Sequence, residues 1–523
     1  MVVFLLVLGE LALTILPILA VVFLLAYKEW PADTSGLVGW MLTVAVAISF
    51  FQTSFSVAVK SSLAGIVASF PVSLMVAASI LQINYMESSG ALKRIVIFIK
   101  TIANSDRAVQ VMIINIGFGT LLASVGATPV SILPPIMIAL GYSTFVAVAL
   151  PAIGYDALCT YALLGAPLVI FADMTGIGLA EAGVIFARFL PVISTLIGFA
   201  MLWIIGGFKL VRQGFVPTLI SGIVIGLTAV VVNKLGGTVL TGVFAGMATI
   251  LVMLAYLKVL GKPVIDKSVL SQEELEYAGQ YSLLKALSPW IILIIASLAV
   301  NFYKPVFNYL FTEHPGVVTI IPGSPTKLRF FWNAYWWIFV STVLSFPILR
   351  PSRQQVTASV RKWLKRAPRP TFSAAIFFAI AYVLNYSGFV EAGGGQWRLP
   401  DPGNNMISIL ANTTAGVFGS LYPLTAAFLG LFGGFVSGSE SSTIAMFAKY
   451  NKITSGIIGA NALVVIAGTA IGGGLASVIS PAKLQNAAAT IDAFGIEAKV
   501  IRTTFGISIF ITSVAAVMTF IWA

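Results

Sequence analysis

Long apolar segments alternate with short polar connections along the whole 523-residue chain. Most of these segments are about 20 residues long, which is the length of an α-helix that spans a bilayer. Clear examples lie at 3–26, 37–57, 182–206, 215–233, 238–257, 288–311 and 499–522. A transmembrane barrel would instead show strands of about 10 residues with alternating polarity. The pattern therefore predicts an all-α polytopic membrane protein with about 12 transmembrane helices.

Composition agrees with this pattern. Hydrophobic residues make up 59% of the chain and charged residues only 9%, with a mean hydropathy of +1.00. A soluble protein carries about 25% charged residues. The longest polar gap, 258–288, is too short for a soluble domain. No basic segment precedes the first apolar run, so we interpret that run as a transmembrane helix rather than a signal peptide.

Charge predicts the orientation in a cell membrane. The formal charge of +12 comes mostly from short loops, which is typical of cytoplasmic loops and does not indicate nucleic-acid binding. Segment 350–369 contains seven Arg or Lys residues and no acid, so we place it in the cytoplasm. Segments 172–181 and 312–331, and both termini, are then expected outside.

Two apolar segments must not cross the membrane if this orientation is to be consistent. They lie at about 108–141 and 421–450, and we predict that each folds back as a re-entrant hairpin. The first contains INIGFGTLLASVGATPVSI and the second LGLFGGFVSGSESSTIAM. Each has an apolar arm, a tip of small and polar residues, and a second arm. A polar tip of this kind must be buried in protein or line a wet cavity.

The same order of parts occurs twice. A predicted interfacial helix (about 88–105 and 404–418) precedes each hairpin, and a broken helix (144–171 and 454–482) follows it. The hairpins are expected to open to opposite sides, which predicts an inverted repeat of about five transmembrane helices plus one hairpin each. The predicted units are a first repeat at 1–212, a two-helix linker at 213–260, a cytoplasmic loop at 261–287 and a second repeat at 288–523.

The two tips carry the candidate binding chemistry. Unpaired N–H groups and the helix dipole at the start of a second arm favour a bound anion, and nearby hydroxyls can donate to its oxygens. We predict a small carboxylate as the ligand. The candidate binding residues at the tips are Gly126, Ala127, Thr128, Ser131, Ser437, Gly438, Ser439, Ser441 and Ser442. The alternative is that these small residues only allow close helix packing.

The two informative acids of the predicted membrane segments are Glu440 at the second tip and Asp156 in the first broken helix. Intramembrane carboxyl groups are rare and are functional candidates. We expect one of the two to carry a coupling proton; the alternative for Glu440 is a helix N-cap. Lys483 either faces a carboxylate or is a snorkelling lysine. We expect Gly472–Gly474 to supply unwound backbone that is able to hold a cation.

Several enzyme classes are excluded by residue counts. The chain has one cysteine, Cys159, and one histidine, His314, so it cannot form a Cys- or His-based metal site, and we expect no metal or other cofactor. No nucleotide-binding loop is present. A serine nucleophile would lack a histidine base, which leaves only a Ser–Lys pair with Lys483. The sequence therefore favours a carrier over an enzyme.

At the hairpins the sequence resembles the L-lactate permease family of bacteria and archaea. The similar segments are SDRAVQVMIINIGFG with GATPVSI, GFVSGSESSTIAMF, and NALVVIAGTAIGGGLASVISP. The resemblance implies a proton-linked carrier for lactate and glycolate with an ion-transporter fold. It places Glu440 at the family's acid position and adds Asn461, Ser480 and Pro481 to the candidate residues. The first tip departs from the family because LLASVGATPV has no acid.

We therefore predict a secondary active transporter that imports a small monocarboxylate together with a proton. The alternatives are a Na⁺-coupled carrier of another organic anion and an anion channel, although a channel needs a continuous polar lining. The expected partners are the organic anion, H⁺ and the lipid bilayer, without nucleic acid. The assembly is left open, with a homodimer as one option.

Overall fold

The computed structural model describes residues 2–28 and 30–523, with the side chains of residues 2–8, 26, 155–158 and 482 outside the described set. Helices dominate the part of the chain up to residue 213. They are α1 (Val2–Ala26), α2 (Ala32–Ser49), α3 (Phe55–Ala68), α4 (Phe70–Ser88), α5 (Ala91–Lys100), α6 (Arg107–Val111), a π-helical segment (Met112–Phe118), α7 (Gly119–Ser124), α8 (Pro129–Ala139), α9 (Thr144–Tyr155), a 3₁₀ segment (Asp156–Tyr161), α10 (Ala162–Thr175), α11 (Leu179–Ala187) and α12 (Leu190–Gln213).

The central part of the chain contains two long helices and a short polar one. They are α13 (Phe215–Lys234), α14 (Thr241–Val259) and α15 (Gln272–Gln280), with 3₁₀ turns at Thr238–Leu240 and Lys267–Val269. Helix α15 lies in the predicted cytoplasmic loop. It begins with a capping box between Ser271 and Glu274, and it pairs with α5 through Lys93–Glu273 and Lys100–Glu274. These ion pairs attach the loop to the helix that precedes the first predicted hairpin.

The remaining part of the chain begins at residue 283. Its helices are α16 (Leu283–Phe302), α17 (Lys304–Phe307), a π-helical segment (Asn308–Glu313), α18 (Ala334–Leu344), α19 (Phe346–Leu349), α20 (Arg353–Arg366), α21 (Pro368–Asn385), α22 (Met406–Phe418), α23 (Tyr422–Ser437), α24 (Glu440–Ile458), α25 (Ala462–Leu475), α26 (Pro481–Ala489) and α27 (Glu497–Trp522), with 3₁₀ turns at Gly393–Gly395, Gly419–Leu421 and Ser477–Ile479. The strands of the described chain form two antiparallel pairs, β1 (Val317–Ile321) with β2 (Ser324–Lys327) and β3 (Val390–Glu391) with β4 (Trp397–Arg398).

The helices confirm the predicted multi-pass, all-α architecture. Among the described residues, ten helices are long and apolar enough to cross a membrane, or up to twelve if each of two bent pairs counts as one span. One bent pair is α3 with α4, at 49°, and the other joins α9 to α10, at 67°. The second bend lies in the predicted broken helix 144–171. A bent or broken helix leaves backbone groups that must find other partners, which is why such breaks mark candidate sites.

One sequence expectation about the helical backbone is wrong. Gly472–Gly474 do not supply unwound backbone, because they lie inside the regular helix α25 and the chain leaves that helix only after Leu475. Their role is close packing. A methyl group on Gly472 would lie 1.9 Å from the carbonyl oxygen of Ala427 in α23, and one on Gly473 would lie 2.8 Å from Thr443 Oγ1 in α24. The absence of side chains lets α25 approach the backbone of α23 and the Thr443 side chain of α24.

Candidate functional site

The second predicted tip is a tight turn between two helices. Helix α23 ends at Ser437, Gly438 adopts a left-handed conformation with φ of 65°, and Ser439 is the extended N-cap of α24. The Ser439 hydroxyl accepts a hydrogen bond from Ser442 N at 3.3 Å, and Ser437 Oγ donates to Gly433 O at 2.8 Å. Glycine is favoured at such a φ, and serine is a preferred N-cap. The local sequence therefore dictates the turn.

Glu440 is the first residue of α24, and its side chain is buried, with 2% of the residue exposed. Its Oε1 accepts a hydrogen bond of 2.7 Å from Thr160 Oγ1. Its Oε2 accepts none from a nitrogen or oxygen of the described residues, and a methyl group on Gly474 would lie 2.9 Å from it. Because Ser439 is the N-cap, the alternative assignment of Glu440 to that position is wrong. Its carboxyl group instead reaches across to another helix.

Thr160 belongs to the break in the first broken helix. It lies in the 3₁₀ segment between α9 and α10, and the chain then turns through Leu163, Leu164 and Gly165, with φ of 55°, 51° and 77°. Left-handed conformations cost a non-glycine residue about 1–2 kcal/mol, and such strain is concentrated at functional sites. The side chain of the predicted coupling residue Asp156 lies outside the described set. The break therefore brings the Thr160 hydroxyl to Glu440.

The second broken helix lies next to the second tip. Helix α25 ends at Leu475, Ser480 is extended, and Pro481 begins α26. A methyl group on Gly438 would lie 3.4 Å from Ser480 Oγ, which is buried and has no hydrogen-bond partner among the described residues. Lys483 Nζ donates to Ser477 Oγ at 2.6 Å. Proline suits the first position of a helix because it has no N–H to satisfy.

The first tip is a second turn of the same kind. Helix α7 ends at Ser124, Gly126 has φ of 87°, and Pro129 begins α8. Ala127 is buried, and Thr128 is the half-buried N-cap without a side-chain capping bond. Ser131, one turn along α8, accepts a hydrogen bond of 3.0 Å from Asn486 Nδ2 of α26. The second broken helix therefore contacts the arm that follows the first tip.

The structure does not bring every candidate together. Ser441 and Ser442 are buried in the first turn of α24, and Ser442 Oγ has no hydrogen-bond partner among the described residues. Asn461 lies at the exposed start of α25, where its side chain accepts from Leu463 N at 3.1 Å. Because α25 has 14 residues, Asn461 is about 20 Å from the break at its other end. Its position is that of a helix cap.

Sequence reasoning missed Thr160, although it lies in the polar stretch YDALCTY, where only the acid was selected. It also did not select Ser79 of α4, whose Oγ would lie 2.5 Å from a methyl group on Gly126. Among the described residues, no three His, Cys, Asp or Glu side chains lie close enough to hold a metal ion. The cluster of Thr160, Glu440, Ser480 and Lys483, with the Gly438 turn, is suited to binding an anion and exchanging a proton.

The long apolar helices of the described residues define a multi-pass helical membrane protein, and the break between α9 and α10 lies against Glu440. The sequence model of the L-lactate permease family matches residues 10–523. The chain belongs to this family, which confirms the resemblance seen at the hairpins.

Named relatives cover nearly the whole chain. It is 25% identical to glycolate permease GlcA of Escherichia coli K12, over 97% of this chain and 95% of that protein. It is 24% identical to the L-lactate permease of Streptococcus iniae, over 84% and 89% of the two chains. It is also 24% identical to the L-lactate permease of Escherichia coli K12, over 92% and 91%.

Proposed function

We propose that this protein is a secondary active transporter that imports a small monocarboxylate of the lactate or glycolate type together with a proton. Membership of the L-lactate permease family supports the substrate class. The observation that carries the coupling proposal is the buried Glu440 carboxyl group, which accepts one hydrogen bond from Thr160 at 2.7 Å. A buried carboxyl group between two broken helices is a suitable proton carrier because a change in its neighbours changes its proton affinity.

The substrate carboxylate is held, in this proposal, at the turn between α23 and α24. Three features support this position. Gly438 leaves the backbone open to a ligand, Ser480 Oγ lies beside it without a partner among the described residues, and Lys483 brings a positive charge to the same segment. A helix N-terminus and hydroxyl donors stabilise an anion by direct hydrogen bonds and by the helix dipole. The carboxylate of the substrate and the proton on Glu440 then occupy adjacent positions.

Alternating access follows from an inverted repeat. The order of helices supports such a repeat, because α9 and α10 follow the turn after α7 as α25 and α26 follow the turn after α23. In the proposed orientation the basic helix α20 is cytoplasmic and both termini are outside the cell membrane. Movement of one repeat against the other would break the Thr160–Glu440 hydrogen bond and expose the site to the opposite side.

Liposome uptake tests this function. Purified protein is reconstituted, and uptake of labelled lactate and glycolate is measured with an imposed ΔpH, with an imposed Na⁺ gradient, or with neither. We expect accumulation with an inside-alkaline ΔpH alone. Accumulation that requires the Na⁺ gradient would favour a Na⁺-coupled carrier, and single-channel currents would favour an anion channel. Uptake that ignores both gradients would contradict symport.

Glu440→Gln tests the coupling residue. The amide keeps the size of the side chain but cannot carry the proton, so ΔpH-driven accumulation should be lost. Glu313→Gln is the matched control, because Glu313 is exposed at the end of the π-helical segment Asn308–Glu313. Asp156→Asn tests the second predicted acid in the same assay. Full proton-driven accumulation by Glu440→Gln and by Asp156→Asn would refute the assignment of both acids.

A further inference from the structure

A large cavity lies apart from the Glu440 cluster, on the face that the charge pattern predicts to be outside. Its volume is about 680 Å³, and it lies between the later turns of α10, helix α21, the middle of α24, and strand β2 with the residues that follow it. Residues 324–329 of its rim belong to the predicted outer segment 312–331. None of the predicted binding residues lines it. The cavity is therefore a separate feature that the proposed function leaves unexplained.

The cavity is strongly basic. Among the described residues it is lined by four basic side chains, Lys327, Arg329, Lys449 and Lys452, and by one acid, Asp173. Arg329 Nη1 contacts both oxygens of Asp173, at 3.0 and 2.9 Å, so these two charges neutralise each other. No described carboxylate lies within 4.0 Å of any of the three lysines. A concave site lined by unpaired charge of one sign attracts the opposite ion.

Lys449 is held in a defined position within this cavity. Its Nζ donates to the carbonyl oxygen of Asn385 at 2.6 Å and lies 5.2 Å from the centre of the Tyr386 ring and 5.8 Å from that of Phe389. An ammonium group has three N–H donors, so this single hydrogen bond leaves donors for a ligand. Contact with the ring faces adds cation–π attraction that orders the side chain. A lysine that merely reached for solvent would not be fixed in this way.

Helices α10 and α24 connect the cavity to the proposed transport site. Helix α24 begins at Glu440 and α10 directly follows the segment that contains Thr160, and the two helices pack against each other. Lys449 is nine residues after Glu440, so it is about 13 Å further along the helix axis. On α10, Val169 and Asp173 line the same cavity. The cavity and the Glu440 cluster therefore share two helices and lie about 13 Å apart along α24.

We propose that this cavity is an entry site in which a small monocarboxylate binds to Lys449 before it reaches the hairpin tip. This inference rests on the proposed transport function. Lys449 donates to the substrate carboxylate, and Lys327 and Lys452 raise the local anion concentration. The ion pair between Arg329 and Asp173 keeps the rim segment in place. Capture at low substrate concentration depends on these charges, whereas the saturating rate and the proton-to-substrate ratio depend on the Glu440 cluster.

Uptake kinetics in right-side-out membrane vesicles test the entry site. With Lys449→Gln, we expect the KM for lactate under a fixed ΔpH to rise roughly tenfold, the loss expected for one charged contact, while the saturating rate stays within about twofold. Lys449→Arg should restore most of the affinity. Added salt should raise the KM of the unaltered protein more than that of Lys449→Gln. Lys499→Gln is the matched control, because Lys499 also lies over an aromatic ring, 5.6 Å from that of Phe145.

A labelling experiment tests occupancy without relying on proton coupling. Thr326→Cys places a thiol on the cavity rim and keeps all four basic residues. Lactate should slow its reaction with an anionic thiol reagent, while the unaltered protein controls for Cys159. Absence of protection, or a Lys449→Gln KM within twofold of the unaltered value, would overturn the entry site. Failure of the proposed function would show differently, as a lack of ΔpH-driven uptake by the unaltered protein.

Discussion

Replacing Gly472 with alanine should push α25 away from α23. The backbones of the two helices are in direct contact at Gly430 and Gly434 of α23 and at Gly472 of α25. A methyl group added to Gly430 would lie 1.8 Å from Thr469 O, and one added to Gly434 would lie 2.1 Å from Gly473 O. A methyl group added to Gly472 would lie 1.9 Å from Ala427 O. All three obstacles are carbonyl oxygens, which cannot rotate away as a side chain can. The methyl group of Gly472→Ala therefore requires a shift of a whole helix.

The cost follows from these distances. An ordinary contact is about 3.5 Å, so the helices must separate by roughly 1.5 Å at this point. Overpacking of this kind costs about 1–3 kcal/mol. Alanine also has a higher helix propensity than glycine, which offsets up to about 1 kcal/mol. We therefore expect Gly472→Ala to be destabilised by roughly 1–2 kcal/mol.

Thermal unfolding in detergent, followed by size-exclusion chromatography of the remaining folded protein, measures this effect. Gly506→Ala in α27 is the matched control, because a methyl group there meets nothing within 4 Å. Gly506→Ala should be as stable as the unaltered protein or slightly more stable, whereas Gly472→Ala should unfold at a lower temperature. Equal stability of the two variants would refute the direct backbone contact between α25 and α23.

Two further predictions concern polar contacts, the Thr160–Glu440 hydrogen bond in the site and the Lys60–Glu391 ion pair at the surface. Thr160→Val removes the 2.7 Å hydrogen bond to Glu440. Hydrogen bonds to charged groups are worth about 1.5–3 kcal/mol, so Thr160→Val should lower ΔpH-driven uptake roughly tenfold or more. Thr160→Ser keeps the hydroxyl and should transport at close to the normal rate. Equal uptake by the two variants would contradict this prediction. Hydrogen bonds from Lys60 and Ser56 lower the pKa of Glu391, so the β3–β4 loop should stay attached to α3 at neutral pH. The loop loses this attachment as the pH falls through the lowered pKa of Glu391, and proteolysis of the loop should then increase. Cleavage at the same rate at every pH would contradict this prediction.

Local sequence chemistry was sufficient to predict both turns at the tips. Gly438 and Gly126 adopt positive φ values, and Pro129 and Ser439 occupy the helix positions that their residue types favour. These preferences depend on each residue's own backbone, so they can be read without knowledge of the fold. The length of the apolar segments likewise predicted a multi-pass helical protein, which has ten to twelve candidate spans among the described residues. Whether the hairpins re-enter from opposite sides remains a prediction.

Features that depend on distant segments could not be predicted. Thr160 and Glu440 are 280 positions apart, and the sequence around either residue does not indicate that the two side chains are in contact. The error at Gly472–Gly474 has the same origin. A run of glycines fits unwound backbone as well as close helix packing, and only the neighbouring carbonyl of Ala427 decides between them. Lys449 was missed because its significance comes from Asn385 and from the cavity rather than from its own helix.

Proton movement that accompanies lactate entry tests the central claim most directly. Proteoliposomes loaded with a pH-sensitive dye, in Na⁺-free buffer and without an imposed gradient, receive external lactate. The unaltered protein should acidify the lumen faster than protein-free liposomes, which report passive entry of the free acid, and Glu440→Gln should match the protein-free rate. Entry of labelled lactate through the unaltered protein without faster acidification would contradict proton symport.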